Sequence, residues 1–190
     1  MRYAIAAAIA VFGAVCRADG DASLPFDVLD YRIAADYGFD GLSNPSGRVK
    51  DCAELLTGDL ACFSGEYLRM PTNSTGIIQI SITENIGYLE YESSGDFEAD
   101  MLYVRARKRN AIPDKWLMYV DDVCDGATNE LGVVDIKLDF EWYAFALDGL
   151  KAGERLVLHQ DLGISSRRII LIDRIIFARK KKHGFYIIIR

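Results

Sequence analysis

The chain has 190 residues, with 22 Lys+Arg against 28 Asp+Glu and a formal net charge of −6. A content of 51% apolar and 11% aromatic residues excludes a disordered, collagenous or coiled-coil chain, and the length fits one domain. The acidic balance argues against a nucleic-acid binder, and only two histidines, His159 and His183, rule out chemistry that needs several imidazoles.

The amino terminus comes first in chain order. Met1-Arg2 is a positive start, Tyr3 to Val15 is an apolar run, and Cys16 and Ala18 occupy positions −3 and −1 of a cut after Ala18. This is the layout of a secretory signal peptide. The run of about 13 apolar residues is short of the roughly 20 that span a bilayer. The expected organisation is a signal at residues 1–18 and one domain at residues 19–190, placed in an extracellular or periplasmic compartment. A buried amino-terminal helix is the alternative. Loss of Arg2 and Arg17 takes the charge from −6 to −8, divided into −15 on residues 19–162 and +7 on residues 163–190.

The rest of the chain reads as short β-branched and aromatic runs bounded by Gly, Asp and Asn. Strands are predicted at Phe26–Ala34, Glu66–Met70, Gly76–Thr83, Ile86–Glu92, Phe97–Arg107, Lys115–Asp121, Leu131–Asp139, Glu141–Leu147, Glu154–His159, Arg168–Ala178 and Phe185–Ile189. Many alternate with period two, the mark of a half-buried strand. Leu102, Val104 and Ala106 share one face of their strand, and Tyr103, Arg105 and Arg107 the other. The one helical hint is Asp51–Thr57. Asp121–Gly126 lacks the ligand pattern of a calcium-binding EF-hand loop and reads as a hairpin turn. Ten or more strands with almost no helix predict an all-β, antiparallel sandwich or barrel.

Three cysteines follow the signal. In an oxidising compartment Cys52 and Cys62, which enclose nine residues, are the expected disulfide, which leaves Cys124 over; pairing of Cys124 with either stays open. Asn73-Ser74-Thr75 is the one valid sequon, so Asn73 is the expected glycosylation site if the source is eukaryotic.

The order of features from residue 76 to 178 resembles the galactose-binding-like jelly roll of many carbohydrate-binding modules. The segments that carry the resemblance are Gly87-Tyr88-Leu89-Glu90-Tyr91, Met101-Leu102-Tyr103-Val104-Arg105-Ala106 and Trp116-Leu117-Met118-Tyr119-Val120-Asp121. Trp142-Tyr143, then Leu150 to Leu156, and finally Ile170 to Phe177 continue the order. The resemblance implies a jelly-roll sandwich and a non-catalytic module that binds a glycan or glycoprotein. It also implies a structural calcium held by Asp30 of the first strand and Asp173 of the last, with Asp27 a third candidate. An outward Asp173 that pairs with Arg167 or Arg174 is the alternative. The chain departs from the pattern at Leu171, where some of the resembled sugar binders carry an Asn.

Sugars offer apolar CH faces, so their sites use aromatic platforms with a few polar groups. Tyr88, Trp116, Trp142 and Tyr143 are the candidate platforms, and each is also a candidate core residue. Other readings are a secreted protein-interaction or host-surface factor and a small polysaccharide-active enzyme. The enzyme would need paired carboxylates or a Tyr/His/Arg group in a cleft. Glu90, Glu92, Asp139 and Glu141 show no such spacing, and no GxSxG or HExxH is present, so no catalytic residue is expected. The basic runs Arg179–His183 and Arg105–Arg109 form a polyanion site only if the fold brings them to one face; otherwise the first is a solvated turn.

Overall fold

The computed structural model describes residues 24–45, 48, 50–52, 55–71, 74–81, 87–93, 98–111, 115–150, 152–160 and 168–182. The expected signal at 1–18, Asn73 and the strand expected at Phe185–Ile189 lie outside them. Thirteen strands are described: β1 (Tyr31–Asn44), β2 (Lys50–Asp51), β3 (Phe63–Glu66), β4 (Leu68–Met70), β5 (Ser74–Gly76), β6 (Ile78–Ser81), β7 (Tyr88–Glu92), β8 (Met101–Lys108), β9 (Leu117–Cys124), β10 (Ala127–Asp135), β11 (Glu141–Ala146), β12 (Arg155–Gln160) and β13 (Ile169–Lys180).

They form two antiparallel sheets. One has eight strands, in the order β11-β8-β13-β6-β4-β2, with β1 paired to β13 and β5. The other has five, in the order β10-β9-β12-β7-β3. The fold is therefore an all-β sandwich. Leu102, Val104 and Ala106 of β8, Tyr143 and Phe145 of β11, and Ile170, Ile172, Ile175 and Phe177 of β13 face inward from the larger sheet. Leu89 and Tyr91 of β7, Met118 and Val120 of β9, and Leu156 and Leu158 of β12 meet them from the smaller one. Burial of this double layer is the main stabilising term. Gln160 is buried too, and its amide donates across the sandwich to the Ile80 carbonyl at 3.1 Å.

β13 is the hub of the larger sheet. It pairs with β8 along one edge, and with β6 and then β1 along the other. Its inward residues change phase, from Ile170 and Ile172 to Ile175 and Phe177. One extra residue is needed for that switch, and the register with β8 shifts between Ile172 and Arg174. This is a β-bulge. It turns two successive charged residues, Asp173 and Arg174, away from the core.

Several expectations are corrected. Of the helical hint at Asp51–Thr57, residues 53–54 lie outside the described residues; of the others, Asp51 belongs to the strand Lys50–Asp51 and residues 55–57 are not helical, and a 3-10 turn follows at Gly58–Leu60. The first strand begins at Tyr31, not Phe26. The Asp27 carboxylate accepts from the Leu29 N–H at 2.7 Å, and its carbonyl accepts from Asp30 and Tyr31, so Asp27–Asp30 is a turn. Cys52, Cys62 and Cys124 form no disulfide. Cys52 donates its N–H to the Leu68 carbonyl beside the larger sheet, whereas the Cys62 carbonyl accepts from Glu92 of the smaller one. The two cysteines expected to pair thus sit on different layers. The Asp121–Gly126 turn is as expected, a hairpin with positive φ at Asp125 and Gly126.

Candidate functional site

The smaller sheet turns one face to the core and the other outward. On the outward face, direct cross-strand pairing lines up Glu66, Tyr88, His159, Tyr119 and Val133, one from each of the five strands. The next row reads Ser64, Glu90, Val157, Asp121 and Glu130. Arg155 stands in the row beyond, beside Val123. Tyr88, His159 and Tyr119 are half-buried, whereas Ser64, Glu66, Glu130 and Val133 at the margins are exposed. Directly paired side chains sit close enough to act as one surface.

The central groups are held in place. The His159 and Tyr119 rings stack, with centroids 5.3 Å apart and planes 13° apart. His159 Nε2 lies 2.9 Å from Asp121 Oδ2, and Nδ1 lies 3.0 Å from the Gln160 carbonyl. Both ring nitrogens therefore face oxygens, which fixes the ring. Arg155 reaches Glu90 at 3.3 Å. Burial, then the Glu66 and Glu90 carboxylates, pushes the Tyr88 phenol above its ordinary range, against the lowering effect of Arg155. Tyr88 thus stays a neutral hydroxyl, able to donate or accept. β3 must lie close to β7 for this row to form. At Gly65 a Cβ would overlap the Tyr88 carbonyl oxygen and press on Leu68, so the position needs glycine.

The expected platforms divide. Tyr88 is on the open face. Trp116 is 0% exposed and Tyr143 6%, so both are core residues, a correction to their reading as platforms. The Trp116 backbone N–H donates to the Asp135 carboxylate at 3.1 Å, and the Tyr143 hydroxyl accepts from the Lys137 backbone N–H at 2.8 Å. Trp142 lies on the outer side of the other sheet, half-buried against a small cluster of Tyr103, Ile176 and Ala178. Tyr119 and His159 were missed as site residues. Their signal was present as outward positions of alternating strands, Tyr119-Val120-Asp121 and Val157-Leu158-His159. Their convergence depends on the strand order β7-β12-β9.

The residues expected to hold calcium do not fit it. The Asp30 carbonyl accepts from the Lys181 N–H at 2.7 Å, eight residues along the chain from Asp173, or about 26 Å of extended strand. Asp173 forms an ion pair with Arg105 instead, and Asp27 is used in its own turn. The described residues hold no group of three or more His, Cys, Asp or Glu placed to share a metal ion. The basic runs also stay apart. Arg107 pairs with Leu171 in the strand register, at the other end of β13 from Arg179 and Lys180.

The sequence matches no protein-family model and no curated protein. Among solved structures the chain is similar to family 29 carbohydrate-binding modules. One, from Piromyces equi, is 12% identical, with 78% of this chain and 89% of that one covered and a TM-score of 0.46. A mutant of another such module, complexed with cellulohexaose, is 10% identical over 78% and 92% of the two chains, with a TM-score of 0.47. A further mutant, complexed with mannohexaose, is 14% identical over 77% and 90%, again with a TM-score of 0.47.

Proposed function

We propose that the protein is a secreted, non-catalytic carbohydrate-binding module whose glycan lies across the open face of the five-stranded sheet. The observation that carries this reading is the row Tyr88–His159–Tyr119 on three adjacent strands, bordered by Glu66, Glu90, Asp121 and Arg155. Such a face meets both needs of a sugar. Ring surface and Val157 suit the CH groups, while the carboxylates accept from hydroxyls and Tyr88 and Arg155 donate to them. Reaction chemistry is not what the arrangement favours. His159 and Arg155 are each engaged by a carboxylate, and the face is open to water where catalysis gains from excluding it.

Cellulohexaose and mannohexaose are suitable probes. Calorimetric titration of residues 19–190 should show binding of one or both, weakened about tenfold by Tyr88→Ala with the circular dichroism spectrum unchanged. No binding of either, or binding untouched by Tyr88→Ala, sinks the reading. Release of reducing ends from the same hexaoses would replace it with an enzyme.

A further inference from the structure

The larger sheet carries a separate constellation on its outer side. Trp142 of β11 pairs directly with Arg105 of β8, and Arg105 lies opposite Arg174 of β13. Phe140 and Arg107 stand one step further along. Two guanidinium groups lie over the Phe140 ring, that of Arg105 at 5.1 Å and that of Arg107 at 5.0 Å from its centroid. These distances are those of cation–π contacts. The two arginines are not equivalent. Arg105 is neutralised by Asp173, as its neighbour Arg174 is by a bidentate pair with Asp36 at 2.9 and 2.6 Å. Arg107 has no carboxylate within ion-pair distance among the described residues; its one partner there is the ring.

We infer that this corner, Arg107 over the Phe140 ring beside Trp142, binds the oxyanion of an acidic sugar, a uronate carboxylate or a sulfate ester. A guanidinium presents its N–H donors as a planar fork, which suits two oxygens of one anionic group, and the Phe140 ring, 5.0 Å away, holds Arg107 at this corner. Phe140 and the half-buried Trp142 supply apolar surface for the sugar ring that carries the anion. Asp173 and Asp36 pair with the other two arginines, and the Asp40 carboxylate also acts on Asp173 and Arg174, so Arg107 is the arginine of this corner with no ion-pair carboxylate among the described residues. The body of the chain is acidic, with −15 on residues 19–162. A long polyanion such as a nucleic acid is disfavoured by that field, whereas a short acidic saccharide meets the local charge alone. The site is independent of the Tyr88 face, which lies on the other sheet.

The test is titration of residues 19–190 with oligogalacturonate, with a sulfated galactan oligosaccharide and with the neutral galactan. At least one acidic saccharide should bind more tightly than the neutral one, and binding should weaken as salt rises. The arm that binds identifies the anion. Arg107→Gln should lower that affinity about tenfold or more, while Tyr88→Ala leaves it unchanged. Arg107→Lys keeps the charge but not the planar group, and should weaken binding severalfold if Arg107→Gln does not fold. Failure of both acidic saccharides to bind, equal affinity for the neutral one, or unchanged affinity in Arg107→Lys overturns the site. None of these results bears on neutral hexaose binding at Tyr88, which reports on the other face separately.

Discussion

At the scale of single residues, the aromatic side chains divide into two kinds that composition does not separate. Trp116 and Tyr88 occur in similar strand contexts, yet one is sealed in the core and the other stands in an outward row. Replacement should separate them cleanly. Trp116→Ala is expected to cost about 3–5 kcal/mol of stability, since it empties a large core site. Tyr88→Ala should change the urea midpoint little but lower glycan affinity about tenfold, the equivalent of roughly 1.4 kcal/mol. Equal losses of stability in the two variants would remove Tyr88 from the site. Asp135 gives a pH-dependent test. Burial raises its carboxyl pKa, but the Lys137 ammonium and the Trp116 backbone N–H more than offset this and hold it below the ordinary carboxylate range. A depressed folded-state pKa means that the group's contribution is complete above the unfolded value and lost as pH falls through the folded one. Asp135→Asn should therefore destabilise by about 1 kcal/mol at neutral pH and by less in acid, as read from urea unfolding at several pH values. A difference that stays constant with pH would contradict the assignment.

At the scale of elements, much of the strand content was legible because period-two alternation is local. Met101–Lys108 is the clearest case, with Leu102, Val104 and Ala106 inward as expected. The bulge in β13 was not read from the sequence, where Arg168–Ala178 reads as one strand; its trace there is the change of phase between Ile172 and Ile175. The missed parts were fixed by partners and not by local pattern. The second half of β1, Gly38–Asn44, is rich in Gly and Asp and looks like a loop, but pairing with β5 makes it strand. β10 begins at Ala127, four residues before the expected Leu131, because the Asp125-Gly126 turn zips it onto β9. The site was legible only in Tyr88, since its row joins positions 66, 88, 119, 133 and 159 through strand order. Gly65 is the element-level control of that row. Gly65→Ala should push β3 from β7, with a loss of about 1–3 kcal/mol and weaker hexaose binding than any change at Glu66 produces. Wild-type stability and affinity in Gly65→Ala would mean that the β3–β7 approach does not position Tyr88.

At the scale of the whole molecule, the two sheets are joined by burial rather than by a covalent link. Cys52 is buried beside the larger sheet, while Cys62 is partly buried near Tyr37 and Tyr91 at the edge of the smaller one. Burial also pushes the Cys62 thiol pKa up, against the hydrogen bond from Tyr37, so it is a poor thiolate. The layers must then hold through the interdigitated core and through contacts such as that of Gln160 with Ile80. A disulfide at 52 and 62 would contribute about 2–4 kcal/mol that a reductant removes. The arrangement without a disulfide makes the opposite expectation: the melting temperature of residues 19–190 does not move when reductant is added. Under denaturing conditions without reductant, a thiol reagent should label three cysteines. In the folded protein Cys52 should be the slowest to react, at the rate of unfolding, with Cys124 ahead of it. A linked peptide spanning Cys52 and Cys62 in a non-reducing digest, with a melting temperature that falls on reduction, would mean that the layers are stapled and that this end of the sandwich is arranged differently.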